Sequence, residues 1–477
     1  MITSTGERQA TLDFAPRLRH ACPERSRVVH VILCPRGYDL THLKGDIIVR
    51  QINRIAIAVF FVCLSFSIQT RAETWSKLEN SHFNMYTTAR EKVSRELFME
   101  LEGFRTLVVN FIKVEIPPTA EKVSIFVFNN LADFKKYTWR KDIAGFVMPT
   151  ENSAIIVLPA WVWGMDSTNI IYHEFVHTLL RHHQVKLPGW YQEGLAELFG
   201  ATKFSDGHFI LGAAPKDRFE AMSYGGQLAS FDDIVSDKFL THRSKHNQDP
   251  YLQYWMLAHY LEFGNKKRKQ DLELYLTLYS NGADSLEAFQ MVFGQTPEEL
   301  WKTELKKYMN QKRIPGFRVD VSPELSDIAI TVTEADMREV ESAMLPLNLL
   351  SASASLNRND YERGYDLLQK LAANTNPEDV EYIRIINNLV WLLSTCPKDK
   401  YRNGEEAVRL GELYIKDKTE NISYLDTLAS AYAEAGHFDK AVELQASLVD
   451  KLDKNDPNKE GFSKRLEKYR NNESWRE

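Results

Sequence analysis

Cysteine is scarce in this 477-residue chain: Cys22, Cys34, Cys63 and Cys396 are the four, and no two form a CxxC pair. That excludes a disulfide-stapled scaffold. Glycine (22) and proline (17) show no excess, which excludes collagen and low-complexity chains. No long basic run occurs and the net charge is −6, so nucleic acid is not expected as a partner. Long apolar runs are also missing apart from residues 55–68, which excludes a polytopic membrane protein. What is present is an ordinary globular mix, 44% hydrophobic, 26% charged and 11% aromatic. At roughly 100–200 residues per domain the length predicts two to four domains.

The single apolar run, IAIAVFFVCLSFSI, has 14 residues, follows Arg50 and Arg54, and is succeeded by Gln69-Thr70-Arg71-Ala72. A basic flank, a short apolar core and a small terminal residue predict a secretory signal peptide cut after Ala72. An uncleaved signal anchor is the alternative. Cys63 follows Val62 inside the run, so lipid attachment there is not expected. Residues 1–48 lack apolar periodicity and signal peptides begin at the terminus, so the working start is expected at or near Val49, with 1–72 a leader. That leader holds ten Lys/Arg and five Asp/Glu; of 59 and 65 in the chain, 49 and 60 remain in 73–477, a net of −11. Only Cys396 remains, so the 405-residue product has no internal disulfide and no membrane span. The expected location is periplasmic or extracellular, in a bacterium.

Strand-like and helical runs alternate from 81 to 160: HFNMYTTA, an amphipathic stretch at 90–113, KVSIFVF (122–128) and SAIIVLP (153–159). Two helical segments between 167 and 200 are broken by Leu187-Pro188-Gly189, and Asp206-Gly207 marks a hairpin. Residues 250–312 read as three or four helices, the last opened by a Thr296/Glu299 capping box. Past Ile314-Pro315-Gly316 the pattern becomes helical throughout 334–477. There NGEEAVRLGELYI and HFDKAVELQASLV place Ala407 and Ala441 34 residues apart, the period of a tetratricopeptide repeat. TLASAYAEAGHFDKAVEL (427–444) resembles that repeat, and NDYERGYDLLQKL (359–371) is a weaker copy. The fold class expected is α+β: a catalytic domain at 73–315, a linker at 316–333, and an all-α tetratricopeptide-like repeat domain at 334–477, whose stacked units bury one another's apolar faces.

The chemistry lies in residues 173–197. His173-Glu174-Phe175-Val176-His177 is an HExxH motif. On a helix, positions i and i+4 share a face, so both imidazoles can hold one zinc ion at about 2.0–2.1 Å. Glu174 is then placed to take a proton from a zinc-activated water. Asp166-Ser167-Thr168-Asn169 offers helix caps. A dozen residues on, Leu187-Pro188-Gly189-Trp190-Tyr191-Gln192-Glu193-Gly194-Leu195-Ala196-Glu197 restarts a helix with Glu193 and Glu197 one turn apart. Two carboxylates on a half-buried helix are costly without cations or donors. A His₂Glu site gives both a role, Glu193 as third ligand and Glu197 as acceptor for a ligating histidine.

HEFVHTLL followed by LPGWYQEGLAELF resembles the gluzincin metallopeptidases, most closely the bacterial peptidase MA-like family with its W-x-x-E-G-x-A-E helix. The resemblance spans roughly 75–312. It implies a zincin-like fold with one Zn²⁺ per chain on His173, His177 and Glu193, with Glu174 as general base and Glu197 in support. Fifteen residues separate His177 from Glu193, against roughly eighteen or nineteen in many gluzincins. Spacing alone favours Glu197; the W-x-x-E-G slot favours Glu193.

The expected activity is peptide-bond hydrolysis of a peptide or protein substrate, with the repeats taking a protein partner or substrate. No GxMEN-type signature precedes the helix, which points to an endopeptidase or a narrow specialised cleavage. A tetrahedral oxyanion needs a donor besides zinc; Tyr251 is the first choice, with Tyr254 and His259 behind it and core aromatics the alternative. SAIIVLP is expected as an edge strand able to pair with substrate. His182-His183 are read as complements to the helix C-terminus, and the sequons at Asn421 and Asn472 as chance. The competing class is a catalytically inactive zincin-like scaffold acting as a protein-binding module. A purely structural metal site is disfavoured because HExxH plus one Glu leaves a coordination position open.

Overall fold

A computed structural model of the chain describes residues 74–477 except 139–142, 151, 163–168, 224–226, 237–249, 312, 321–328, 380, 418, 454, 455 and 457. The leader, the signal segment at 55–68 and the expected caps Asp166, Ser167 and Thr168 lie outside the described residues.

Strands β1 (Ser76–Glu79) and β2 (Phe83–Thr87) form a hairpin. The Asn80 side chain closes its turn by accepting from the N–H groups of His82 and Phe83. Helix α1 (Glu91–Ile112) buries Leu97, Phe98, Leu101, Phe104 and Val108, a stripe at three- and four-residue spacing that faces the sheet. It stops at Lys113, whose left-handed backbone returns its N–H to Val109, and Pro117-Pro118 follow. Next come β3 (Val123–Phe128), α2 (Leu131–Lys135), β4 (Phe146–Pro149) and β5 (Ala154–Pro159). After them lie α3 (Asn169–Leu180) and α4 (Gly189–Gly200), then β6 (Lys203–Ser205) and β7 (His208–Leu211). Asp206 and Gly207 both take positive φ between these two strands, as a type I′ turn requires.

Helices α5 (Lys216–Ser223), α6 (Phe231–Val235), α7 (Tyr251–Phe263), α8 (Lys266–Ser280) and α9 (Ser285–Phe293) precede α10 (Pro297–Leu300). The Thr296/Glu299 capping box opens α10, which runs through a π turn at Trp301–Leu305 into α11 (Lys306–Met309). Strands β8 (Phe317–Asp320) and β9 (Thr331–Glu334) lead, among the described residues, to the helices α12 (Met337–Ala343), α13 (Leu345–Asn357), α14 (Tyr361–Asn374), α15 (Tyr382–Thr395), α16 (Gly404–Tyr414), α17 (Ile422–Glu434), α18 (Phe438–Lys451) and α19 (Lys459–Arg470).

The main sheet has the order β4-β5-β3-β2-β1-β9. β2, β3 and β5 are parallel, and β4, β1 and β9 are antiparallel to their neighbours. β5, and β3 over residues 125–128, are continuous apolar runs because both their faces are covered. Ile125, Val127, Ile156 and Leu158 pack toward α1, α3 and α4, while Phe126, Phe128, Ile155 and Val157 pack with Val340, Met344 and Leu347 of α12–α13.

Two expectations change here. SAIIVLP is an interior strand: Phe146–Pro149 pairs along it, with Val147 opposite Ile156, and β4 takes the sheet edge. The span 316–333, read as a linker, contains β8, which pairs with β7, and the start of β9, which pairs with β1. The sheet needs the helices past 334 to cover its second face, and Thr74–Glu477 is one compact unit.

From α13 onward the helices pair in sequence, α13 with α14, α15 with α16 and α17 with α18, with α19 against α18. Gly364, Ala407 and Ala441 occupy like places in the second helix of each pair, and all three are buried. Among the described residues no helix is long and apolar enough to cross a membrane.

Candidate metal centre

Helix α3 buries Ile171, Tyr172, Phe175, Val176 and Leu179, which leaves His173, Glu174 and His177 on the opposite side. Helix α4 begins at Gly189, after Pro188, which has the extended backbone of a cap. Its Trp190, Leu195, Leu198 and Phe199 are buried, and this sets Glu193 and Glu197 against α3. Gly194 permits that placement by packing on α7: a Cβ there would stand 2.7 Å from Ala258 Cβ and 2.9 Å from the Tyr254 carbonyl oxygen.

Three ligand-type atoms converge. His173 Nε2 and His177 Nε2 are 3.2 Å apart, and Glu193 Oε2 is 3.5 Å from the first and 3.7 Å from the second. Atoms about 2.0–2.1 Å from one tetrahedral ion stand roughly 3.3–3.5 Å from one another, so the triangle has the dimensions of a metal site. Glu193 Oε2 is moreover buried with no hydrogen-bond partner, an orphaned acceptor that a cation would satisfy. Among the described residues this is the one His/Cys/Asp/Glu group that could hold a metal ion.

The surroundings orient the first histidine. Glu197 Oε1 accepts from His173 Nδ1 at 3.1 Å, which keeps a proton on Nδ1 and turns Nε2 toward the triangle. Glu197, 6% exposed, also accepts from Arg218, Nη2 to Oε1 at 3.0 Å and Nε to Oε2 at 3.3 Å. Burial opposes the charge on Glu197, yet His173 and Arg218 outweigh it and hold its pKa below the usual carboxylate value. Burial likewise works against the charged form of Glu193, but the two imidazoles bring it down to about 2. For His173, burial is outweighed by Glu193 and Glu197, and its pKa rises to about 9. The cluster as built thus favours positive charge at its centre.

Glu174 is exposed on α3 between the two histidines. Tyr251, the first residue of α7, lies edge-on to His173 with ring centroids 5.8 Å apart, and Tyr254 stands behind it at 6.0 Å. His259 is elsewhere. It is fully buried, its Nε2 is 3.1 Å from both the Gly212 and Pro315 carbonyl oxygens, and its Nδ1 is 3.1 Å from the Tyr308 hydroxyl. Both ring nitrogens are committed, so His259 pins the β7–β8 pair to α7 and is withdrawn as an oxyanion donor. His183 bonds the Val185 backbone and takes no part in the cluster. Arg218 was not expected from sequence; no spacing rule links it to Glu197, 21 residues earlier.

No protein-family model matches the chain, and no curated protein matches it either.

Proposed function

We propose that this chain is an exported zinc-dependent endopeptidase of the gluzincin kind, with a zincin-like catalytic part and a tetratricopeptide-like helical array that takes a protein partner or substrate. The observation that carries the reading is the convergence of His173 Nε2, His177 Nε2 and Glu193 Oε2 at 3.2–3.7 Å beside an exposed Glu174. His173, His177 and Glu193 would hold the ion. Once bound, it supplies Lewis acidity toward a carbonyl oxygen and makes a water more acidic. Glu174 takes the proton of the attacking water and delivers it to the departing amine. Glu197 would keep the Nδ1 proton on His173, and Tyr251 would donate toward the developing oxyanion.

The end strand β4 packs against α3, and an extended peptide could add to it as one more strand. Intact Glu174 favours an enzyme over an inactive scaffold.

The test is casein hydrolysis by the purified protein before and after chelation with 1,10-phenanthroline, and again after added Zn²⁺. Loss on chelation and recovery with zinc support the reading; hydrolysis indifferent to chelation overturns it.

A further inference from the structure

One side chain outside the HExxH and W-x-x-E-G segments touches both the support of a ligand and the oxyanion candidate. Arg218, on α5, donates from two nitrogens to the two oxygens of Glu197, and its guanidinium carbon stands 4.6 Å from the centre of the Tyr251 ring. Glu197 in turn meets His173 Nδ1, and Tyr251 meets the same imidazole edge-on. The four groups close a loop: guanidinium, carboxylate, imidazole, phenol.

We propose that Arg218 is a positioning residue of the metal centre, fixing His173 through Glu197 and Tyr251 through the cation held over its ring. This rests on the metal-site reading above. The physical argument concerns degrees of freedom. A glutamate on a helix has three rotatable bonds, and a single hydrogen bond to an imidazole leaves its carboxylate free to swing. A two-pronged guanidinium contact fixes both the plane and the position of that carboxylate. With the carboxylate fixed, the imidazole can satisfy its Nδ1–H in one orientation only, the one that points Nε2 at His177 and Glu193. The same guanidinium lies over the Tyr251 ring, 4.6 Å from its centre, so the phenol is held relative to the ligand it accompanies. Lysine would keep the charge and lose both the fork and the plane. Glu197 is also nearly buried, so without Arg218 it would keep the imidazole alone among these partners, and turning toward solvent would release His173.

The test measures zinc affinity by chelator competition, and the visible spectrum of the Co²⁺-loaded protein, for wild type, Arg218→Lys, Arg218→Gln, Glu197→Gln and the double variant Arg218→Gln/Glu197→Gln. Lys216→Ala removes a cation from the same helix as a control. Loss of such a support is expected to weaken zinc binding by about 10–100-fold in both single Arg218 variants, with an altered Co²⁺ spectrum and Lys216→Ala unchanged. In the double variant the two effects should not add, because Arg218 acts through Glu197. Wild-type zinc affinity and an unaltered spectrum in Arg218→Lys would overturn the inference, as would full additivity in the double variant. If wild type itself binds no metal, the metal-site reading fails and the inference falls with it, so the two failures are distinguishable. Circular dichroism melts identify any variant that does not fold; Arg218→Lys, the smaller change, then carries the comparison.

Discussion

The two ring nitrogens of His173 face two different glutamates that lie one turn apart on α4: Nδ1 is 3.1 Å from Glu197 Oε1, and Nε2 is 3.5 Å from Glu193 Oε2. The spacing that made both residues possible third ligands therefore divides between two jobs. Glu193→Gln removes the charged oxygen of the triangle and is expected to reduce zinc content below stoichiometric at micromolar metal. Glu197→Gln keeps an acceptor oxygen near Nδ1, so the loss should be smaller, about 10–100-fold in affinity. Zinc analysis after dialysis separates the two, and equal losses would mean the roles are not divided.

Gly194→Ala tests how α4 is held against α7. The added methyl would meet Ala258 Cβ and the Tyr254 carbonyl, and overpacking of this kind costs about 1–3 kcal/mol. Urea denaturation should show a lower midpoint with an unchanged slope. Because Glu193 is the adjacent residue, weaker zinc binding should accompany it.

The helical array offers a contrasting site. A Cβ at Gly404 would stand 2.6 Å from the backbone nitrogen of Ala435 and from the carbonyl carbon of Glu434. Gly404→Ala is expected to destabilise the array by a similar about 1–3 kcal/mol and to leave zinc affinity untouched, as read by denaturation and chelator competition.

His259 predicts a pH dependence of stability. Burial pushes its pKa down to about 4, against about 6.5 for an unfolded histidine. Between these values the unfolded chain binds the proton more readily, so the stability from a neutral His259 is full above pH 6.5 and is lost as pH falls toward 4. The difference amounts to about 3 kcal/mol. Denaturation midpoints followed from pH 7 to pH 4 should fall more steeply in wild type than in His259→Gln.

Legibility differed by kind of signal. The helices of the site were readable because i, i+4 histidines and a Pro-Gly break are local patterns, as were the Asp206-Gly207 turn and the Thr296 capping box. β4 was missed: FVMP is four residues long, with nothing local to show that it pairs with β5. Its absence made β5 look like an edge. The role of α12–α13 as the second cover of the sheet was signalled indirectly, because the apolar runs at residues 125–128 of β3 and Ala154–Pro159 of β5 require cover on both faces. Which segment provides it is a long-range fact. Arg218 is the extreme case, since an arginine on a short polar helix has no sequence mark of the carboxylate it meets.

The most direct test of the proposed activity compares zinc content and casein turnover in wild type and Glu174→Gln. One zinc per chain in both, with turnover in wild type and a loss of about 10²–10⁴-fold in the variant, is the expected outcome. Stoichiometric zinc in both with no turnover in either, or equal turnover in both, would contradict it.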